Sequence, residues 1–177
     1  MLNKFSCYFL FFILLNGVFA NDSKIGKVIP NLEIRLLDGT STSLHKLSSD
    51  GPLLIDFWAT WCIPCKKLMK YLNKYHLEFA KSGFKVLTIN TDTPRSLGKV
   101  KSYIRSQGYK FYVGLDPNKI ISKKLNGIVM PTTILVDKGG EIKWRHQGFI
   151  EGDQVQILEE IQSILNYKSE DKVLEPN

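Results

Sequence analysis

The chain has 177 residues, 44% of them hydrophobic and 23% charged, which is enough apolar material for one domain with its own core and excludes a disordered or low-complexity chain. Lysine and arginine outnumber the acids 24 to 17, for a net charge of +7, yet the cations are scattered with no run of five, so they read as a solvated face, with attraction to an anionic membrane surface as the alternative and no nucleic acid expected as a partner. Three cysteines are too few for a fold stapled by several disulfides.

The first element in chain order is a leader. Lys4 gives a positive start, Phe5 to Leu15 form an apolar core, Asn16-Gly17 break it, and Val18-Phe19-Ala20 is a small-x-small cleavage site. The uncharged stretch of about 16 residues falls short of the ~20 that a spanning helix needs, so cleavage after Ala20 is expected, with an uncleaved anchor as the alternative. Either way the folded part is placed outside the cytoplasm. Cys7 lies within the leader, and only Cys62 and Cys65 belong to the expected domain, residues 21–167.

Asn31 to Leu37, then Asp38-Gly39 and Thr40 to Leu44, predict a hairpin with a tight turn. The apolar run 52–58 (PLLIDFW) predicts a strand buried on both faces. After it, Leu68, Tyr71, Leu72, Tyr75 and Phe79 recur at helical spacing, with Gly83 as the stop. Residues 84–90 predict a second buried strand, and strand, helix, strand at this spacing predicts a parallel pair. A helix over 96–108 and a short strand over 110–114 follow. Residues 116–127 predict a further helix with Pro117 in its first turn. Two alternating runs around Asp137 to Gly140 predict a second hairpin, and Val155, Leu158, Ile161 and Leu165 mark one face of a final helix. Residues 168–177 carry little to bury and are expected to form a loose tail. The class is α/β, a central mixed sheet with helices on both faces.

Chemistry concentrates in residues 56–65, DFWATWCIPC. A disulfide across so short a loop stabilises little, because the chain entropy it removes grows with loop length. Cys62 falls where the strand has ended and the helix begins, and Pro64 suits a first turn, where no N–H is needed. A thiol there faces unpaired backbone N–H groups and the positive end of the helix dipole, so its pKa is expected below the free value of ~8.5. Cys65, one turn further in, points back toward the core. The outer sulfur can attack a disulfide and the inner one can resolve the product, an arrangement suited to electron transfer. Zinc would require two more ligands, and His45, His76 and His146 stand singly. Copper(I) remains an alternative, because soft thiolates select it.

Asp56 stands inside the apolar strand. Burial of its charge is costly, so desolvation is expected to raise its pKa.

DFWATWCIPCK resembles the active-site segment of the thioredoxin superfamily. The flanking GKVIPNLEIRLLDGTSTSLHKL and GIVMPTTILVDKGGEI, with the helix and strand inserted between, resemble its extracytoplasmic TlpA/ResA-like branch over about residues 26 to 165. The resemblance implies a thioredoxin-like fold. It makes Cys62 the nucleophile, Cys65 the resolving thiol and Pro131 a cis-proline beside them. It makes Asp56 the acid that exchanges a proton with the resolving thiol. Met130 would pair through its backbone with a substrate strand, Trp61 would cover the outer sulfur, and Ile63 and Pro64 would face the substrate. Three positions depart from related patterns: Leu68 where some members carry glutamate, Lys70 where many carry a helix-kinking proline, and Thr88 where a lysine partners the buried acid.

The reading that follows is an exported, monomeric thiol–disulfide oxidoreductase without a cofactor or metal, reducing disulfides in partner proteins and itself reduced by a membrane-embedded donor. The alternatives are a copper-binding carrier and a peroxidase. A peroxidase would carry Thr or Ser three residues before its cysteine, where this chain has Ala59, with Thr60 one place off.

Overall fold

The computed structural model describes residues 25–171; the leader assigned to 1–20 and the end of the expected tail lie outside the described residues. Seven strands form one sheet: β1 (Glu33–Leu36), β2 (Ser41–Ser43), β3 (Leu53–Trp58), β4 (Lys85–Asn90), β5 (Tyr112–Leu115), β6 (Thr132–Val136) and β7 (Ile142–Gln147), in the order β2-β1-β5-β4-β3-β6-β7. The β5-β4-β3 centre is parallel, and every other pair is antiparallel. The helices are α1 (Leu44–Ser48), α2 (Ile63–Glu78), α3 (Leu97–Gln107), α4 (Ile120–Lys124) and α5 (Asp153–Asp171).

Strand β3 is buried at all six positions, and its alternating side chains feed two cores. Leu54 and Trp58 face the side of α2, with Leu68, Met69 and Leu72 from that helix, Val100 from α3, and Ile157 and Ile161 from α5. Leu53, Ile55 and Phe57 face the other side, against Leu44 and Leu47 of α1, Ile121 of α4 and Leu125 at its C-cap. Helices thus cover both faces, as the α/β class requires. Each fully buried leucine contributes about 1.5–3 kcal/mol, so α2 is held chiefly by Leu68 and Leu72 and not by intrinsic propensity.

The first hairpin forms as its sequence predicts, with Asp38 Oδ1 accepting from the Thr40 N–H at 2.9 Å and hydroxyl at 2.7 Å. The inserted strand β5 fits between β1 and β4. Some boundaries differ. Helix α2 ends at Glu78, and Gly83 instead closes a 3-10 turn over Ala80–Ser82. The segment after β5 is a short helix and not the long one expected: residues 116–119 make a turn, Pro117 precedes the helix, and the Asp116 carboxylate caps it by accepting from the Ile120 and Ser122 N–H groups, both at 2.8 Å. The backbone of α5 continues to Asp171, past the apolar face that predicted it. Helix α1 is absent from the sequence reading. It forms because the Ser43 hydroxyl, itself in β2, caps it on the Lys46 N–H at 3.2 Å.

Candidate active site

The end of β3 and the start of α2 are joined by a single turn, closed by the Cys62 N–H donating to the Ala59 carbonyl at 3.0 Å. Cys62 is the N-cap of α2 and Pro64 lies in its first turn. Cys62 and Cys65 form a disulfide with their Cα atoms 5.3 Å apart, and the Cys62 sulfur accepts from the Cys65 N–H at 3.3 Å. That N–H is one of the unpaired donors of the helix start, so it already points at the sulfur that would carry negative charge after reduction. Cys65 is wholly enclosed, with Sγ 3.9 Å from the Phe57 carbonyl oxygen. Cys62 is more covered than a freely exposed sulfur would be, at 4% exposure, against none for Cys65.

Trp61 and Ile63, on either side of Cys62, are 68% and 69% exposed. The Met130–Pro131 bond is cis. Met130 packs against both cores, one of which contains the two cysteines, and its sulfur accepts from the Thr91 hydroxyl at 3.3 Å. Met130 thus reaches the core that holds Cys62 and Cys65, although 65 positions separate it from Cys65 in the chain. Among the described residues no three His, Cys, Asp or Glu side chains group so as to hold a metal ion.

Asp56 has no exposure at all. By strand alternation it faces the same side as Leu54 and Trp58, toward α2 and Cys65. Its register neighbours are Thr133 on β6 and Thr88 on β4. The Thr133 hydroxyl donates to Asp56 Oδ1 at 3.0 Å, while Oδ2 and the Thr88 hydroxyl have no partner among the described residues. Burial therefore raises the Asp56 pKa well above the ordinary carboxylate range, and the Thr133 hydrogen bond offsets only part of that.

A second acid was missed by the sequence reading. Asp92 follows β4 and accepts from the Thr60 N–H at 2.7 Å, the Thr60 hydroxyl at 3.2 Å and the Asn90 amide at 2.9 Å. Asn90 in turn accepts from the Asp92 N–H at 3.2 Å. This clamp fixes the turn that presents Trp61 and Cys62. Its only trace in the sequence is three polar residues, Asn90-Thr91-Asp92, directly after an apolar strand.

A thioredoxin-like sheet with a dithiol pair at the first turn of its central helix defines a class, the thiol–disulfide oxidoreductases. The chain belongs to the AhpC/TSA family, whose model matches residues 25–145. It is 32% identical to the thiol-disulfide oxidoreductase ResA of Bacillus cereus over 133 residues, 74% of this chain and 75% of that relative. Among solved structures it is similar to the Chlorobium tepidum protein named as thiol:disulfide interchange protein DsbE, with a TM-score of 0.73, 25% identity, and coverage of 80% of this chain and 97% of that one. It is also similar to a thiol:disulfide interchange protein from a Bacteroides species, with a TM-score of 0.64, 26% identity and coverage of 77% and 88%. This chain is a thiol–disulfide oxidoreductase.

Proposed function

We propose that the protein is exported and reduces disulfides in partner proteins through a Cys62/Cys65 dithiol–disulfide cycle. The observation that carries this reading is the asymmetry of the pair: Cys62 caps the helix between two exposed apolar side chains, and Cys65 is enclosed on the face of the sheet that holds Asp56. In the reduced enzyme the Cys62 thiolate attacks one sulfur of the partner's disulfide, and the other partner sulfur leaves as a thiolate. Cys65 then gives its proton to the Asp56 carboxylate and attacks the Cys62 sulfur. The second partner thiol is released, and two electrons have passed to the partner. In re-reduction Cys65 leaves as a thiolate, and protonated Asp56, the form that burial favours, returns the proton.

Trp61, Ile63, Ile128 and Val129 offer the exposed apolar surface that a polypeptide substrate would meet, with the Met130 backbone beside it. Export rests on the leader at residues 1–20, and an extracytoplasmic reductase needs a membrane-embedded donor to keep it reduced. No helix among the described residues is long and apolar enough to cross a membrane. A peroxidase role is disfavoured because Ala59 has no hydroxyl and that of Thr60 is bound to Asp92.

Position 63 supports the reducing direction. Ile63 gives the Cys62 thiolate neither a hydrogen bond nor a charge, so the reduced form is only moderately stabilised and the potential is expected below about −220 mV, toward the thioredoxin end of the C-x-x-C range. Equilibration with glutathione tests this. A potential near about −120 mV, or rapid oxidation of reduced unfolded proteins, would overturn the reductase direction.

A further inference from the structure

Arg145 lies on β7, opposite Ile134 of β6, and its side chain leaves the sheet to reach a distant loop. Nη1 donates to the Leu125 carbonyl at 2.7 Å, and Nη2 donates to the Asn126 carbonyl. These carbonyls belong to Leu125, the C-cap of α4, and to the residue after it, at the end where a helix dipole favours a cation. The chain then turns sharply. Asn126 takes the left-handed conformation at φ 54, and the Gly127 N–H returns to the Ser122 carbonyl at 2.7 Å. Gly127 rests directly on the Phe57 ring, so closely that a Cβ would stand 2.2 Å from Phe57 Cδ2. Phe57 is the residue whose carbonyl approaches Cys65.

Residues 125–127 are thus gripped by a guanidinium and seated on the strand that leads into the cysteines. Only Ile128, Val129 and Met130 separate this grip from cis-Pro131, whose carbonyl accepts from the Gly148 N–H at 2.8 Å. Ile128 and Val129 are 49% and 58% exposed. A three-residue apolar span held at both ends has little freedom to move relative to the disulfide.

We propose that Arg145 is a positioning residue that sets the Ile128–Met130 span for engagement of polypeptide disulfides. This rests on the reading that partner proteins are the substrates. Arg145 acts through the loop carbonyls it binds. Its effect is expected in the recognition of an extended chain and not in the exchange of sulfurs.

The test compares wild type with Arg145→Met, which keeps most of the length but no donor, and Arg145→Lys, which keeps one charged donor. Insulin serves as the polypeptide disulfide and hydroxyethyl disulfide as the small one. Arg145→Met is expected to raise KM for insulin about ten-fold with kcat within about two-fold, and to leave the rate with hydroxyethyl disulfide and the redox potential unchanged. Arg145→Lys should recover part of the KM. Hydrogen exchange at the Gly127 amide, which donates to the Ser122 carbonyl, reads the anchor itself and should quicken about ten-fold in Arg145→Met, with the amides of β3 and β4 unaffected. Unchanged exchange there, or equal slowing with both disulfides, would overturn the proposal. A wild-type enzyme that acts on hydroxyethyl disulfide and not on insulin or other protein disulfides would instead remove the partner-protein reading, while the exchange measurement still decides whether Arg145 anchors the span.

Discussion

Thr133 and Asp56 stand directly opposite each other on adjacent strands, and the threonine hydroxyl donates to one carboxyl oxygen of the acid at 3.0 Å. Only that oxygen is served. The other is buried with no partner among the described residues, which suits a carboxyl that carries its own proton.

The first prediction concerns stability against pH. The folded-state pKa of Asp56 lies above its unfolded value, so both states are protonated in strong acid. As pH rises above ~4 the unfolded chain loses this proton and the folded chain keeps it, so unfolding becomes easier by about 1.4 kcal/mol per pH unit until the folded pKa is passed. Asp56→Asn should abolish this slope and make the protein more stable at pH 7 than wild type, yet slow disulfide exchange because Cys65 has lost its proton acceptor. Denaturant titrations at several pH values, with a pH–rate profile, check both halves. An unchanged profile would make Asp56 purely structural.

Trapping distinguishes the sulfurs. Cys65→Ser should accumulate mixed disulfides with partner proteins, because the resolving thiol is gone, and Cys62→Ser should accumulate none. Brief alkylation of the reduced protein at pH 6 should label Cys62 first. Preferential labelling of Cys65, read by mass spectrometry, would reverse the roles.

The Asp92 clamp gives a third prediction. Asp92→Ala removes the acceptor for two donors of Thr60 and one of Asn90, which should cost about 1–3 kcal/mol and loosen the turn that carries Cys62. Asp92→Asn keeps an acceptor oxygen and should cost less. Equilibrium unfolding ranks the variants. Equal stability of Asp92→Ala and wild type would show that the clamp does not hold the turn.

Gly127→Ala forces a methyl group into the Phe57 ring and should destabilise by about 1–3 kcal/mol. Phe57→Leu costs stability alone but makes room, so the double variant should lose less than the two single losses combined. Additive losses in the unfolding data would mean that the contact is not the source of the penalty.

Much of this architecture was legible in the chain because it is written in local patterns. The run PLLIDFW announces a strand buried on both faces, and the spacing of Leu68, Leu72 and Tyr75 announces the helix after it. Cys62 and Cys65 carry their chemistry in their spacing, and Asp56 is conspicuous among apolar neighbours. The cis bond before Pro131 was accessible only through resemblance, since no local signal distinguishes it. What could not be read depends on side chains reaching across the fold. Asp92 meets Thr60 from 32 positions away, and Arg145 meets Leu125 from 20. Asp116 shortened α4 because a carboxylate suited to capping also competes with the backbone for helix.

Strands β3 and β6 are immediate neighbours in the sheet and run in opposite directions. The exit of one and the entrance of the other therefore lie at the same end of the molecule. One delivers the cysteines and the other begins right after cis-Pro131. Reacting sulfurs and the span beside them are thus registered to each other by a single ladder of backbone hydrogen bonds. Residues 91–131, although they connect the two halves through α3, β5 and α4, add nothing to that ladder. Substituting the exposed residues of α3 would alter the molecular surface and leave that ladder unchanged. Chemistry and choice of partner can diverge independently in such a molecule.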